Sequence, residues 1–483
     1  MMRFVSSVLL LLFFTAAHAV NDTIIKTELN KIENPDGLAN AMNKLRTVRS
    51  NTDSSFVIAH FGDSHIQADI FSGEIRNNLQ EVFRYGGEGI LFPYSVCKSY
   101  GPKHLTTTTM GEWTWATLLK NPDNYPIGVT GYTLIAKDKK ATLTFVYNPQ
   151  GKIQYRDTTL IEEVTIWHSA NNFKLILNNP KGAMKIVYDT ICLLNGFQRT
   201  RILNYRIGTE LKLSFDANDT NDVFLFHGIS FENPSAHGLN YHRGAVVGAT
   251  FLQLIRQQDA TINHLKQVNP DLLFFSYGSN ESYDANFNVE NYYTQVSAFI
   301  KRVRIEIPDI NIIFTGTPDT RSNGRFPLNT VTINNKLRQI AIENDCAFWD
   351  LNAVMGGDNS IMYWLDNGLA RKDKLHFTRS GYGLQGDLFS SAFMELYREK
   401  YDHGISGFCE TLRKQIDKQL EGLHNAPIPP QVVVGEQTHY VKKGETLSII
   451  GRNYGVTVQQ LCEWNNITTG SVLHIGQKIV IRK

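Results

Sequence analysis

The repeated pairing of an apolar run with a helical pattern in the second half of this chain constrains its fold more than any other feature. Leu272-Leu273-Phe274-Phe275-Ser276-Tyr277 opens on four apolar residues in succession. A strand buried on both faces reads this way, whereas a half-exposed strand alternates. A helical pattern over 289–305 follows, then Ile310-Asn311-Ile312-Ile313-Phe314-Thr315, a helix over 330–344, Ala347-Phe348-Trp349-Asp350-Leu351, and a helix over 379–399. Such alternation predicts a parallel sheet covered by helices on both faces. Val57-Ile58-Ala59-His60-Phe61, with a helix over 67–83, supplies an earlier unit of the same kind.

Between the two halves the character changes. Short alternating runs appear at Ala141–Tyr147, Val164–His168, Lys174–Leu177 and Leu211–Phe215, with turn residues such as Asn178-Asn179-Pro180-Lys181-Gly182 between them. That pattern predicts an antiparallel β-sandwich inserted after the first βα unit. The 483 residues exceed one ordinary core, so several domains are expected. The expected division is a targeting segment over 1–19, the first part of the α/β domain over 20–104, the inserted β-rich domain over 105–235, the second α/β part over 236–423, a Pro-rich linker over 424–437 and a small module over 438–483.

The targeting segment has Arg3 before an apolar core, Val8 to Phe14, and ends in Ala17-His18-Ala19, a small-x-small cleavage pattern. The apolar stretch is short for a bilayer span, and no later run approaches the ~20 residues a span needs. The expectation is secretion across the inner membrane, a periplasmic or cell-wall location, and no transmembrane anchor after cleavage. A net charge of +2 leaves no nucleic-acid footprint. Cys97, Cys192, Cys346, Cys409 and Cys462 are scattered and form no CxxC pair, which argues against a metal site or a disulfide framework. His168, His227 and His237 lack metal-ligand spacing and read as structural.

The chemistry is carried by separated residues. Gly62-Asp63-Ser64-His65 ends the first strand, Gly278-Ser279-Asn280 follows the 272–277 strand, and Asp373-Lys374-Leu375-His376 precedes the last helix of the alternation. Sites in open parallel sheets form at the carboxyl ends of strands, so these segments fall on one rim. A serine hydroxyl needs a base to take its proton, and an imidazole needs a carboxylate to hold its tautomer. Ser64, His376 and Asp373 are the candidates for these three roles. Donors for a developing oxyanion are the Ser64 N–H, the Gly248 N–H in Val247-Gly248-Ala249, and the Asn280 amide. Singly, each element has an ordinary reading as a turn or cap; their order together points to acyl transfer. Tyr241 and His242, just before the Gly248 turn, are expected near the rim.

These blocks resemble the SGNH hydrolase superfamily, the GDSL esterases. Gly62-Asp63-Ser64 matches the first block, with His65 where Leu often stands; Gly248 matches the second, Gly278-x-Asn280 the third and Asp373-x-x-His376 the fifth. Relatives with the histidine variant commonly carry Asn-Gly-Ala in block two, where this chain has Val247-Gly248-Ala249. The resemblance implies a three-layer α/β/α fold, Ser64 as nucleophile, His376 as base, Asp373 as its orienter, an oxyanion hole of Ser64, Gly248 and Asn280, and no metal or organic cofactor. An SGNH domain interrupted by a β-domain also resembles peptidoglycan O-acetylesterases.

Residues 438–483 read as strand, two short helices and strand, with Gly444 and Gly476 in turns. They resemble a LysM module, a family that binds N-acetylglucosamine-containing glycans. The resemblance places a glycan groove at Gly444, Glu445, Thr446 and Leu447 and at the loop from Ile467 to Ile475, while Leu461 and Ile479 read as core. Trp113, Trp115 and Trp167 of the inserted domain are candidates for sugar stacking or for ordinary packing. The leading functional expectation is an exported esterase that removes O-acetyl groups from peptidoglycan through an acetyl-enzyme on Ser64. The alternatives are an acetylesterase or acyltransferase acting on another acetylated glycan, and a non-catalytic wall-binding protein on the same scaffold.

Overall fold

The computed structural model describes residues 24–482 apart from 52, 149–159, 170–172, 179–184, 190–195, 218–222, 235–236, 323–326, 424–436 and 455–457. The expected targeting segment, Cys192 and nearly all of the expected linker lie outside these residues. Among the described residues, no helix is long and apolar enough to cross a membrane.

The architecture is the three-layer α/β/α fold with added antiparallel sheets and a small terminal module. The main sheet runs Ile32–Glu33, Ala347–Trp349, Asn311–Thr315, Leu272–Ser276, Phe56–Gly62, Leu239–Ala245, and all its pairs are parallel except the first. The apolar run at 272–276 is buried on both faces, as its composition requires. Leu273 and Phe275 join one core with Phe61 and the helices at 289–306 and 330–343; Phe274 joins a second core with Ile58 and the helices at 39–50, 71–83 and 379–400. The helix Phe71–Phe83 shows why: Phe71, Ile75, Leu79 and Phe83, four apart, form one buried stripe. A further helix, Ser406–Glu421, packs Cys409, Leu412, Ile416 and Leu420 into this second core beyond the expected last helix.

Among the described residues the inserted region, joined by Gly87–Leu91, forms a seven-stranded and a four-stranded antiparallel sheet. Thr142–Tyr147 buries Leu143, Phe145 and Tyr147 and leaves the alternate threonines and Val146 only partly covered, the period of a half-buried strand. The sandwich core is continuous with the first α/β core. Its entry strand, Gly87–Leu91, lies against the edge strand of the main sheet. A Cβ on Gly89, whose φ is +70°, would meet the Tyr241 carbonyl at 2.3 Å, so only glycine permits this approach. Trp167 is core: its indole N–H donates to Ser230 Oγ at 3.1 Å. Trp113 packs partly buried against the same core, whereas Trp115 remains 37% exposed. Cys97, Cys346 and Cys409 are buried free thiols, and Cys462 is half-buried.

In the terminal module Gln437–Tyr440 pairs antiparallel with Lys478–Arg482, and the helices Leu447–Tyr454 and Val458–Asn465 complete a βααβ unit. Leu447, Leu461 and Ile479 share its core with Val441, Ile450 and Ile481, and Ile467 packs against them. The expected groove residues therefore divide. Leu447 points inward, while Ile475 is 71% exposed. Gly444 turns at φ +86°, and Glu445 accepts from the Lys442 N–H at 2.7 Å and pairs with His439. Thr446 Oγ1 accepts from the Ile449 N–H and caps the first helix.

Candidate active site

Topology places the serine. After Phe56–Gly62 the chain enters the sheet at Leu239–Ala245 on one side and then at Leu272–Ser276 on the other. Strand order reverses at Phe56–Gly62, and a crevice opens at its carboxyl end. Ser64 begins the short helix Ser64–Gln67, capped by Asp63, whose Oδ1 accepts the His65 N–H at 2.9 Å. A Cβ at Gly62 would strike Ile66 Cγ1 at 2.3 Å and Ser276 O at 2.9 Å, so the turn into this helix requires glycine. As the first helical residue, Ser64 leaves its own N–H without an intrahelical acceptor.

The Asp-x-x-His segment reaches the same point from 312 residues away. Ser64 Oγ lies 3.0 Å from His376 Nε2, and His376 Nδ1 lies 3.0 Å from Asp373 Oδ2. Asp373 Oδ1 also accepts the N–H groups of Leu375 and His376 at 3.0 and 2.9 Å, with Lys374 in a left-handed turn between them. Partial burial pushes the Asp373 carboxyl up, but these backbone donors outweigh it and hold the pKa below the usual range. The carboxylate stays charged, and its bond to Nδ1–H leaves Nε2 free to accept from the serine.

The other expected donors flank the serine. Gly248 sits in a turn at φ +82°, and its N–H has no intramolecular acceptor among the described residues. Asn280 Nδ2 donates to Ala249 O at 2.9 Å and to Asp63 Oδ2 at 3.2 Å, so the amide is held between the serine turn and the Gly248 turn. Gln67, fully buried, ties the parts together: its Oε1 accepts the Val247 N–H at 3.1 Å and its Nε2 donates to Tyr100 O at 2.6 Å. Burial pushes Asp63 up to about 7, with Glu281 adding to the rise, and burial also pushes Glu281 itself to about 7. His65, behind the relay, is driven by burial down to about 3 and shares a 2.9 Å hydrogen bond with the Tyr382 hydroxyl. Its ring is neutral.

A cleft of about 460 Å³ runs from Ser64 and His376 toward Asp69, Arg76 and His104, and Tyr100, Lys103, Arg371 and Arg379 line its walls. At its inner end Asp69, Glu88 and His104 bring ligand-type atoms within 4.8 Å of one another. Arg76 pairs with Asp69 at 2.9 Å and Glu88 at 3.0 Å, and Arg243 pairs with Asp69 at 2.8 Å. Two guanidiniums already neutralise the two carboxylates, and a cation there would face both of them. The cluster suits a charge network better than a metal centre.

Residues 216–384 match the GDSL-like lipase/acylhydrolase family, and residues 439–482 match the LysM domain. The chain carries a GDSL-like acylhydrolase domain and a C-terminal LysM domain. The segment matched to the acylhydrolase family contains Gly248, Asn280, Asp373 and His376 but not Ser64, which the fold supplies from beyond the sandwich. A solved structure of a peptidoglycan O-acetylesterase superposes with a TM-score of 0.59 at 21% identity, over 76% of this chain and 99% of that one. The LysM domain is 49% identical over 47 residues to N-acetylmuramoyl-L-alanine amidase XlyA of Bacillus subtilis (strain 168). It is 46% identical over 50 residues to an autolysin of Enterococcus faecalis (strain ATCC 700802 / V583). The chain spans 16% of the first relative and 7% of the second, so the likeness concerns that domain alone.

Two expected rim residues of the acylhydrolase domain lie elsewhere. Tyr241 is buried with its hydroxyl 2.8 Å from His60 Nδ1, and His242 Nδ1 accepts the Ile90 N–H at 3.1 Å. The physical reason is that both faces of the strand are covered: Tyr241 lies in the helix-side core with His60, and His242 meets the sandwich's entry strand at Ile90. His168 and His227 are buried and hydrogen-bonded to Thr200 and Ser169, consistent with structural roles. Gln67, Tyr100, Arg371 and Arg379 were not singled out from sequence. Only Gln67 carried a signal, standing three residues beyond Ser64 on one helical turn.

Proposed function

We propose that the protein is an exported serine carbohydrate esterase that removes O-acetyl groups from peptidoglycan. The observation that carries this reading is the relay of Ser64, His376 and Asp373, with 3.0 Å between each pair of reacting atoms, at the mouth of the cleft. Ser64 Oγ attacks the acetyl carbonyl as its proton passes to His376 Nε2, and Asp373 steadies the imidazolium. The N–H groups of Ser64 and Gly248 and the Asn280 amide take the oxyanion; the 3.2 Å bond to Asp63 is the longer of Asn280's two and the one an oxyanion would replace. Collapse breaks the bond from the acyl carbon to the sugar oxygen, which takes the proton from His376 and leaves as the hydroxyl. Water, activated by the same base, then releases acetate and restores Ser64. The cleft walls carry charged and aromatic groups, which suit a sugar better than an alkyl chain.

The LysM domain supports a wall glycan as substrate and a cell-wall or periplasmic location. Tethering there raises the local concentration of ester. The expected result is acetate release from O-acetylated peptidoglycan well above that from acetylated xylan. No release from peptidoglycan, with turnover of xylan, would move the protein to the other acetylated-glycan reading. Truncation of residues 438–483 is expected to lower retention on sedimented cell walls by at least ~10-fold, in line with the loss of a multivalent contact. Unchanged retention in a pull-down would remove the anchoring role.

A further inference from the structure

The cleft beside Ser64 has a charge pattern that esterase chemistry itself does not require. Arg371 and Arg379 lie five residues before and three residues after His376, and both line the cleft. The Arg371 N–H donates to the His376 carbonyl at 2.8 Å, which fixes its backbone against the base. Arg379 opens the helix Arg379–Lys400, which Thr378 caps by accepting the Gly381 N–H at 3.2 Å. Lys103 lines the same cleft. All three side chains are exposed, and none forms an ion pair among the described residues.

The acids nearby do not balance them. Asp69 and Glu88 are spent on Arg76 and Arg243, and Asp373 is committed to His376 and two backbone donors. Glu74 also lines the wall, one carboxylate against three cations. Tyr100 adds an exposed ring, 45% accessible, anchored by its hydroxyl to the Ser64 carbonyl at 3.1 Å. An aromatic face beside the nucleophile is a platform for a sugar ring.

We infer that this cleft selects acylated sugars that also carry a carboxylate, held by Arg371, Arg379 and Lys103 while the ring lies on Tyr100. The inference rests on the esterase reading above and narrows its substrate. In peptidoglycan the carboxylate is that of the lactyl ether or, where that is amidated, one from the stem peptide; the guanidinium chemistry is the same for both. A charge-assisted contact of this kind is worth about 10–100-fold in kcat/KM.

The test compares acid and methyl ester of one substrate, so that changes in the reacting groups cancel. One pair is an O-acetylated muramic acid saccharide with its lactyl group free or methylated; the other carries a stem peptide with its carboxylates free or methylated. Acetate release should favour the acid by about 10-fold or more in at least one pair, which also identifies the source of the carboxylate. The doubly substituted Arg371→Gln, Arg379→Gln protein should lose most of that ratio. Equal release from acid and ester in both pairs, or a ratio unchanged by the double substitution, overturns the inference and leaves the esterase reading standing. Release from no member of either pair, with p-nitrophenyl acetate still cleaved, overturns the peptidoglycan reading and this inference with it.

Discussion

Ser64→Ala is expected to lower turnover of p-nitrophenyl acetate by about 10⁴–10⁶-fold, the range seen when the nucleophile of a serine–histidine–carboxylate relay is removed. Under the proposed mechanism the alanine keeps the N–H groups of Gly248 and of position 64 for the oxyanion but has nothing to form an acyl-enzyme. The fold should survive. Among the described residues the Ser64 hydroxyl is hydrogen-bonded to His376, at the mouth of an open cleft where water can replace it. Circular dichroism should therefore match the parent, so a loss of rate reports chemistry. Turnover within a few-fold of the parent would remove Ser64 from the nucleophile role and with it the acetyl-enzyme.

The second large effect is steep unfolding in acid. Burial lowers the pKa of seven histidines: His60, His65, His242 and His264 to about 3, His168 to about 4, and His104 and His227 below the ordinary value. Each is neutral when folded and takes up a proton when unfolded below about pH 6.5, so stability falls as pH falls through that region. Four carboxyls act in the opposite sense. Asp63 and Glu281 rise to about 7, and Glu232 and Asp271 are raised as well, so the folded chain holds protons that the unfolded chain releases. The five histidines at about 3 to 4 against the two carboxyls at about 7 leave a net uptake of about three protons on unfolding near pH 5, about 4 kcal/mol per pH unit. That exhausts an ordinary stability of ~5–15 kcal/mol within a few pH units. Stability should peak near pH 7, where the unfolded-state histidines have given up most of their protons and their effect no longer exceeds that of the carboxyls. Urea unfolding at pH 6.5, 5.5 and 4.5 measures this directly; a midpoint that does not move would show that these histidines stay solvated or are paired.

The elements legible in the sequence were those whose own composition reports burial. Leu272–Ser276 and Asn311–Thr315 are apolar because both faces are covered, and their strands fall within a residue of the expected runs. Leu239–Ala245 was invisible for the opposite reason. Asn240, His242 and Arg243 make it look exposed, yet the sandwich's entry strand and the helix-side core together bury it, Arg243 is neutralised by Asp69, and His242 receives the Ile90 N–H. The single helix expected over 67–83 is two, because Asp69 adopts φ +55° between Ser64–Gln67 and Phe71–Phe83. At the site, Ser64, Asp373 and His376 were readable because each role demands a residue type. Gln67, Tyr100, Arg371 and Arg379 were not, since a glutamine or an arginine acquires its meaning there from what the fold sets opposite it.

The strand that enters the sandwich, Gly87–Leu91, is hydrogen-bonded along its length to the strand that leaves it, Phe224–Glu232. The insertion thus begins and ends at one place. Joining Phe56–Gly62 to its parallel neighbour Leu239–Ala245 means closing a loop of roughly 180 residues; with the sandwich already formed, the effective loop is roughly 30, an entropic saving of about 1.5–2 kcal/mol. An insertion that is already formed would thus act as a clasp on which the sheet that carries the serine closes. A module whose ends meet is also exchangeable. Another domain with neighbouring termini could occupy this position without parting Ser64 from the histidine bonded to it.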